Sequence, residues 1–531
     1  MITDKNRLFD GWLTLEGGVD AGRLPDTLEV NQCHSAINMT FRGGSITTRP
    51  GYRKLEEEFV PHATQLFCYN NIHFDHNRWK IDGEYQEPGT TMPTPEPAWF
   101  TNQGSAYVYK HGILQSAVAF SPHNGEDCIM AMIGGRLFKI VPRVNTCNVV
   151  EILIEGVRAA DQLTNAVRNL RNQNNLPIAY MIQADKWMIA QDGSSLPILY
   201  DGTKARRSIT TGTVDETEIP VGTIMAYGMG RVCVIVNDRD VAFGDLYGSH
   251  DGDPGDSIIL FTERNFLAEG FDAAIPFQQG VATGMIFFPQ LDTSTGNGQL
   301  MVFAERGAAS FFVSIPRDQW KTSAFQILAL MTTGLRGHRS IAVVNEDLWF
   351  RSDDGVRSYR QARSEQSGWA HIPLSTAVRQ YLDNDSGRDL RFCSAIYFDN
   401  RILMTTSPVW NNGRPWHFGS VVVDFDILSA FGQKFNPAWE GKWQSTRFLP
   451  TLLLTGTFKG ITRAFAFGLN SAGENCLYEL SKDDKDDWDG EHIPWEFTTR
   501  SMDFSKLSRE STPFTENELY DGDLWLREII E

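Results

Sequence analysis

The chain has 531 residues and a mass of 59.8 kDa; 41% of its residues are apolar and 21% charged. With 48 Lys/Arg against 66 Asp/Glu, its formal charge is −18. This composition buries a core and excludes a disordered or collagen-like chain. The acidity argues against a nucleic-acid clamp and against an anionic membrane surface, since both need clustered cations.

Residues 1–60 read as an extended N-terminal arm. The start, MITDKNRLFDGW, is charged and has no apolar core of a secretory leader, so no targeting segment is expected. GGVDAGRLPD (17–26) is poor in apolar residues, and FRGGSITTRPGYRKL (41–55) reads as strand, Gly-Gly turn, strand and a turn at Pro50-Gly51. Residues 61–104 form a Pro-rich loop region, with polyproline character across Pro88, Pro93, Pro95 and Pro97.

From 105 to 480 one pattern recurs: a short apolar strand, a polar turn, another short strand. Turns are expected at Asp192-Gly193, Asn237-Asp238, Arg306-Gly307 and Asp354-Gly355. The hairpins return about every 40–60 residues, which fits a β-propeller of roughly six to eight blades. The fold class is therefore mainly all-β, with tandem β-sandwiches as the alternative. Two segments break the pattern. Residues 155–175 carry apolar residues at helical spacing, and 373–385 read as a second helix capped by Ser375. Both are expected as inserts on one face.

Residues 481–531 form an acidic, strand-containing segment with fifteen Asp/Glu against six Lys/Arg. SKDDKDDWDGE (481–491) is its peak and reads as a solvated loop, because its carboxylates lack the spacing of a calcium loop. At the end, Leu524 and Leu526 alternate with Trp525 and Arg527 as a strand would. An unpaired terminal edge strand is expected to pair with another copy or another polypeptide.

Chemistry-bearing motifs are sparse. The seven cysteines are scattered without a CxxC pair and read as free, buried thiols of a reducing compartment. GxSxG, HExxH and the phosphate-binding GxxxxGK[ST] are all missing. SDDGVRSY (352–359) approaches a sialidase Asp-box but is one residue out of register, so it reads as a hairpin turn. HDGDPGDS (250–257) lacks the glycine and distal Glu of a calcium loop. His338, beside two arginines, reads as a polar surface residue. No catalytic, cofactor or metal site is expected.

Several stretches resemble the propeller-type tail proteins of short-tailed bacteriophages, known as tail tubular, nozzle or packaged-DNA-stabilising proteins. The resemblance is carried by Gly17-Gly18-Val19, Pro25, Asn38, Gly43-Gly44 and Arg49-Pro50-Gly51 in order, then by 183–202, 219–236, 346–360 and 496–504. It implies a virion structural protein in a homo-oligomeric, hexameric ring around the DNA exit channel. The ring would contact other tail or adaptor proteins, and DNA would pass without sequence-specific binding or membrane contact. Acidic walls would let DNA slide. Gly17, Gly18, Arg49, Pro50, Gly51, Leu524, Trp525 and Leu526 are the assembly-contact candidates. The competing readings are a phage depolymerase or glycosidase, and a glycan receptor-binding module.

Overall fold

The computed structural model describes residues 15–60, the strands between 67 and 85, and residues 102–155, 176–209, 217–262, 273–288, 300–330, 334–359, 373–428, 437–481 and 486–500, apart from short breaks within these ranges. The expected helix over 155–175 and the terminal strand over 519–531 lie outside the described residues.

Short antiparallel sheets follow one another along the chain. Blade 1 comprises Leu114–Phe120, Cys128–Ile133, Arg136–Pro142 and Thr146–Ile152. Blade 2 runs from Tyr180–Ala184 to Ala205–Arg207, blade 3 from Met225–Gly228 to Ala273–Ala274, and blade 4 from Ala282–Phe287 to Gln326–Leu330. Blade 5 has three described strands, Ile341–Val344, Asp347–Ser352 and Gly355–Ser358. Blade 6 is built on Ala395–Phe398, Arg401–Thr405, Ser420–Leu428 and Pro437–Trp443. Blade 7 is built on Leu449–Phe458, Ile461–Leu469 and Asn475–Leu480.

The side-chain period of a strand explains how such sheets become a ring. Successive residues point to opposite faces, so a strand buried on both faces serves two neighbours. In blade 6, Leu403 packs against blade 7, together with Val422, Ala464 and Tyr478. Ile402 and Met404, on the other face, pack against Trp349 and Val356 of blade 5. Each pair of successive blades has its own apolar cluster: 1 with 2, 2 with 3, 3 with 4, 4 with 5, 5 with 6, and 6 with 7. A further cluster joins blade 7 to blade 1 through Phe465, Phe467, Ile129 and Phe138. Among the described residues, then, seven blades close into a β-propeller, and this circular packing decides against tandem sandwiches.

Turn chemistry sets the hairpins. Met229-Gly230, Asp399-Asn400 and Lys459-Gly460 are consecutive left-handed pairs joining the first and second strands of blades 3, 6 and 7, the conformation that matches strand twist. Two expected turns shift by one residue. Gly307 and Gly355 open the next strand, so the turns are Glu305-Arg306 and Asp353-Asp354. Ser352 donates to Asp354 (2.7 Å), and Arg357 pairs with the same carboxylate (2.6 Å), so the Asp-box look-alike is a locked hairpin turn.

The segment at 373–385 is a 3₁₀ helix, Leu374–Tyr381, and Ser375 does not cap it. Its buried hydroxyl instead accepts the Val356 N–H (2.9 Å), tying the insert to blade 5. A helix the sequence reading did not anticipate, Asn102–His111, covers the seam of blades 7 and 1 with Tyr109 fully buried. Asn475 holds its end by donating to the carbonyls of Tyr109 (2.7 Å) and Gly112 (2.8 Å). Six of the cysteines are free and buried. No helix among the described residues is long and apolar enough to cross a membrane.

The expectation that residues 1–60 form an arm reaching a neighbour needs correction for its described part. Tyr52–Phe59 is the fourth strand of blade 7, antiparallel to Asn475–Leu480, and it also pairs in parallel with Thr146–Ile152 of blade 1. Blades 7 and 1 thereby become one eight-stranded sheet. Ser35–Ile37 adds to blade 6 beside Pro437–Trp443 and is itself paired by Glu496–Thr498. The described part of the arm supplies apolar residues of its own: Leu15, Val19, Ala36, Met39 and Phe41 join the buried cluster of blades 5 and 6.

Candidate functional site: the closing clasp

The N-terminal residues singled out from the sequence converge where the ring is closed. Gly18 is buried with φ +65°, and a Cβ there would lie 2.5 Å from the Trp439 carbonyl oxygen. Gly17 is crowded by Asn31 in the same way. Gly18 lets the chain run flat against blade 6, where a side chain would hold it off, and Gly17 lets it pass the arm's own Asn31 and Gln32.

Arg49 is the centre of the clasp and has no exposed surface. Its Nε donates to Asn38 Oδ1 (2.9 Å). Its Nη1 donates to the Pro50 carbonyl (2.7 Å) and Asp487 Oδ1 (2.9 Å). Its Nη2 donates to the Gln444 carbonyl (2.9 Å) and Asp487 Oδ2 (2.6 Å). All five guanidinium hydrogens therefore have acceptors. Asp487 Oδ1 also accepts the Tyr52 N–H (3.0 Å), and the Tyr52 ring lies beneath the guanidinium at 5.0 Å. Asn38, with φ +59°, accepts the Gln444 N–H (2.7 Å) and donates to the Pro494 carbonyl (2.7 Å). Gly51 accepts the Ser481 N–H through its carbonyl. One buried cation thus joins the arm, the link between blades 6 and 7, and the acidic C-terminal segment.

This corrects two readings. Arg49, Gly51 and Gly18 are buried in their own chain and Gly17 and Pro50 are half-buried there, so Arg49 in particular has no surface to offer a second copy. Asp487, read as part of a solvated acidic loop, is 3% exposed and pairs with Arg49. Only the local charge run was visible in the sequence; its partner is 438 positions away. Leu524, Trp525 and Leu526 lie outside the described residues.

Next to the clasp sits a second ionic group that sequence reasoning missed, buried at Arg401, Asp424 and Glu440 and partly exposed at Arg42, Asp399 and Asp426. Arg42 pairs with Asp399 (2.8 Å), Asp424 (2.6 Å) and Asp426 (3.1 Å). Arg401 pairs with Asp399 (2.8 Å), Asp424 (3.1 Å) and Glu440 (2.9 Å). Thr40 donates to Glu440, so the arm again enters the network. Glu440 faces inward because of a β-bulge: Val422 pairs with Gly441 and Val423 with Trp439, leaving residue 440 unpaired. Gly441 has φ +86°, and a Cβ there would lie 2.2 Å from the Ala36 carbonyl oxygen, so glycine is required. The local signal was the WEGKW sequence with a glycine inside a strand.

Burial, opposed by Arg401, pushes the Glu440 carboxyl up to about 7. The folded protein therefore keeps a proton between about pH 4.5 and 7 that the unfolded chain has released. Bound protons favour the state that holds them, so this group's contribution to stability falls as pH rises through that window. We expect the melting temperature of the wild type, measured against Glu440→Gln, to drop between pH 5 and pH 8. Parallel melting profiles for the two proteins would contradict this.

The other candidate loops are structural. Asp253 and Asp256 of the 250–257 loop both pair with Lys186 at 2.8 Å. His338 is not a surface residue: it is partly buried against the Tyr180 ring (4.7 Å between ring centres), and burial with the adjacent Arg339 holds its imidazole well below the usual range. Among the described residues no group of three His, Cys, Asp or Glu is arranged to hold a metal ion.

No family model and no curated protein sequence matches the chain. Solved structures similar to it include YCF48 bound to D1 peptide (TM-score 0.38, 8% identity, covering 70% of this chain and 93% of that one). BamB from Moraxella catarrhalis matches with a TM-score of 0.33 and 11% identity, over 81% of this chain and 99% of that one. BBS1N in complex with ARL6DN matches with a TM-score of 0.34 and 7% identity, over 71% and 98%. The propeller assignment rests on the strand pairing and blade packing of the chain itself.

Proposed function

We propose that the chain is a structural subunit of a bacteriophage tail, one copy of an oligomeric ring near the DNA exit channel. The observation that carries this reading is the use made of the signature residues. Gly17, Gly18, Asn38, Arg49 and Gly51, which carry the resemblance to tail proteins, are spent on closing and locking a rigid propeller. Their pattern in this chain has a mechanical reason, which suits a virion part that must hold its shape.

The described part of the arm lies on its own chain, so a ring of six copies needs contacts from other surfaces, with residues 519–531 as the first candidate. Native mass spectrometry of the purified protein or of virion-derived assemblies is expected to give a closed oligomer, six copies by the resemblance. Deleting 519–531 is expected to leave a folded propeller that does not assemble. A protein that is monomeric in both settings would overturn the reading.

One feature favours the glycan-binding alternative. The hairpin Pro408–Asn411 with Arg414–His417, inserted in blade 6 and packed against blade 7, leaves Trp410 and Phe418 exposed (40% and 53%). Binding to a host-glycan array, lost on Trp410→Ala, would shift the reading toward a receptor-binding module.

A further inference from the structure

The hairpin inserted in blade 6, between Arg401–Thr405 and Ser420–Leu428, is a two-stranded sheet of its own, and no third described strand pairs with either of its edges. Its two faces differ. Val409 and Trp416 are cross-strand partners and share one face. Phe418, two residues on, brings its ring within 4.7 Å of the Trp416 ring, centre to centre. On this face Val409 and Phe418 are exposed. Trp410, next to Val409, takes the opposite face and packs against Phe392, with ring centres 5.0 Å apart.

The charge beside the exposed face is positive. Lys442, on Pro437–Trp443, lies over the Phe418 ring with its ammonium 5.8 Å from the centre. No carboxylate among the described residues pairs with it, and burial pulls its pKa down. The exposed apolar group on blade 3 has the opposite surroundings. There Met229, Leu246 and Tyr247 run into the exposed carboxylates of Asp251, Asp253 and Asp256. Two unpaired strand edges, an apolar face and a cation without a counter-charge fit an acidic strand with apolar side chains.

The chain has such a segment. Residues 519–531 carry Asp521, Asp523, Glu528 and Glu531 against Arg527, and Leu524 and Leu526 alternate as they would in a strand. Residues 501–518 separate it from Arg500, where the described chain leaves the edge of the blade 6 sheet. A linker of that length spans at most about 60 Å, enough to cross to an adjacent subunit.

We propose that the blade 6 hairpin of one copy is the dock for residues 519–531 of a neighbouring copy, which add to its edge as a third strand. Leu524 and Leu526 then cover Val409 and Phe418, and the carboxylates lie toward Lys442. Backbone hydrogen bonds along the edge supply affinity, and the apolar face and the lysine supply selectivity. The inference rests on the ring reading above and names the surface that the segment meets.

The test uses full-length protein with the photo-crosslinker p-benzoylphenylalanine in place of Phe418, assembled from isotopically light and heavy copies, irradiated and digested. Cross-links from position 418 to peptides within 519–531, joining light copies to heavy ones, are expected. Phe418→Asp and Lys442→Glu are each expected to raise the concentration needed for assembly at least tenfold in native mass spectrometry. Lys442→Glu and the cross-link keep the test valid if Phe418→Asp does not fold. Phe277→Asp, which removes an apolar side chain 81% exposed elsewhere, should assemble like the wild type. If deleting 519–531 dissolves the oligomer while Phe418→Asp and Lys442→Glu leave it intact, the segment docks elsewhere: the proposal fails and the ring reading stands. A monomeric wild type removes both. Cross-links confined to single copies also overturn the proposal, as does loss of host-glycan binding in Phe418→Asp with assembly unchanged.

Discussion

Replacing Arg49 by Ala is expected to lower stability by about 3–5 kcal/mol, the general cost of leaving one partner of a buried ion pair alone. In Arg49→Ala the carboxylate of Asp487, itself buried, loses both guanidinium bonds and keeps the Tyr52 N–H. The Asn38 and Gln444 oxygens lose a donor at the same time. Arg49→Lys should recover little of this. A lysine has three donors on one nitrogen and cannot reach acceptors spread around a planar fork. Asp487→Asn is expected to be nearly as damaging, because one amide NH₂ would then face the guanidinium. Chemical denaturation monitored by tryptophan fluorescence gives the comparison. If Arg49→Lys and Asp487→Asn both unfold at the wild-type midpoint, the clasp does not hold the ring.

The second large effect is expected in the closing strand. Leu55 is fully buried between blades 7 and 1 and its backbone pairs with Leu477. Leu55→Ala should cost about 2–5 kcal/mol, the range for a large aliphatic side chain cut back in a packed core. Glu56 and Glu58, on the same strand, are exposed, and their alanine variants should stay within about 0.5 kcal/mol of the wild type. Strand propensity changes similarly at all three sites, so the contrast isolates burial at the seam. Removing residues 1–60 goes further. It strips blade 7 of its fourth strand and leaves two unpaired edges facing each other, a state expected to aggregate. A soluble, cooperatively melting truncated protein would show that the seam closes without this strand.

Both predictions concern contacts between the ends of the chain, and that is also where sequence reading stopped short. The hairpins were legible because their causes are local. Apolar residues alternate or run together over four to eight positions, and Gly, Asn or Asp stands where the chain must turn left-handed, as at Gly230 and Asn400. The all-β class, the repeating blade and the buried thiols follow from such short-range signals. The one-residue shifts at Gly307 and Gly355 mark their precision, since a glycine beside a turn can also open the next strand.

What the sequence by itself determined, then, was the unit: a short antiparallel hairpin sheet, buried on both faces, repeated along an acidic chain. Tertiary structure alone decided how the units are counted and closed. Among the described residues, seven blades form the ring because each buries its two faces on its neighbours, and an eight-residue strand near the N-terminus fills the last gap. The roles of Asp487 and Glu440 were decided in the same way. An acidic residue in a charged run looks solvated until folding brings Arg49 to it from 438 positions away. A glutamate in a strand looks exposed until a bulge at Gly441 turns it inward. Burial and pairing are properties of the closed ring, and no window of neighbouring residues contains them.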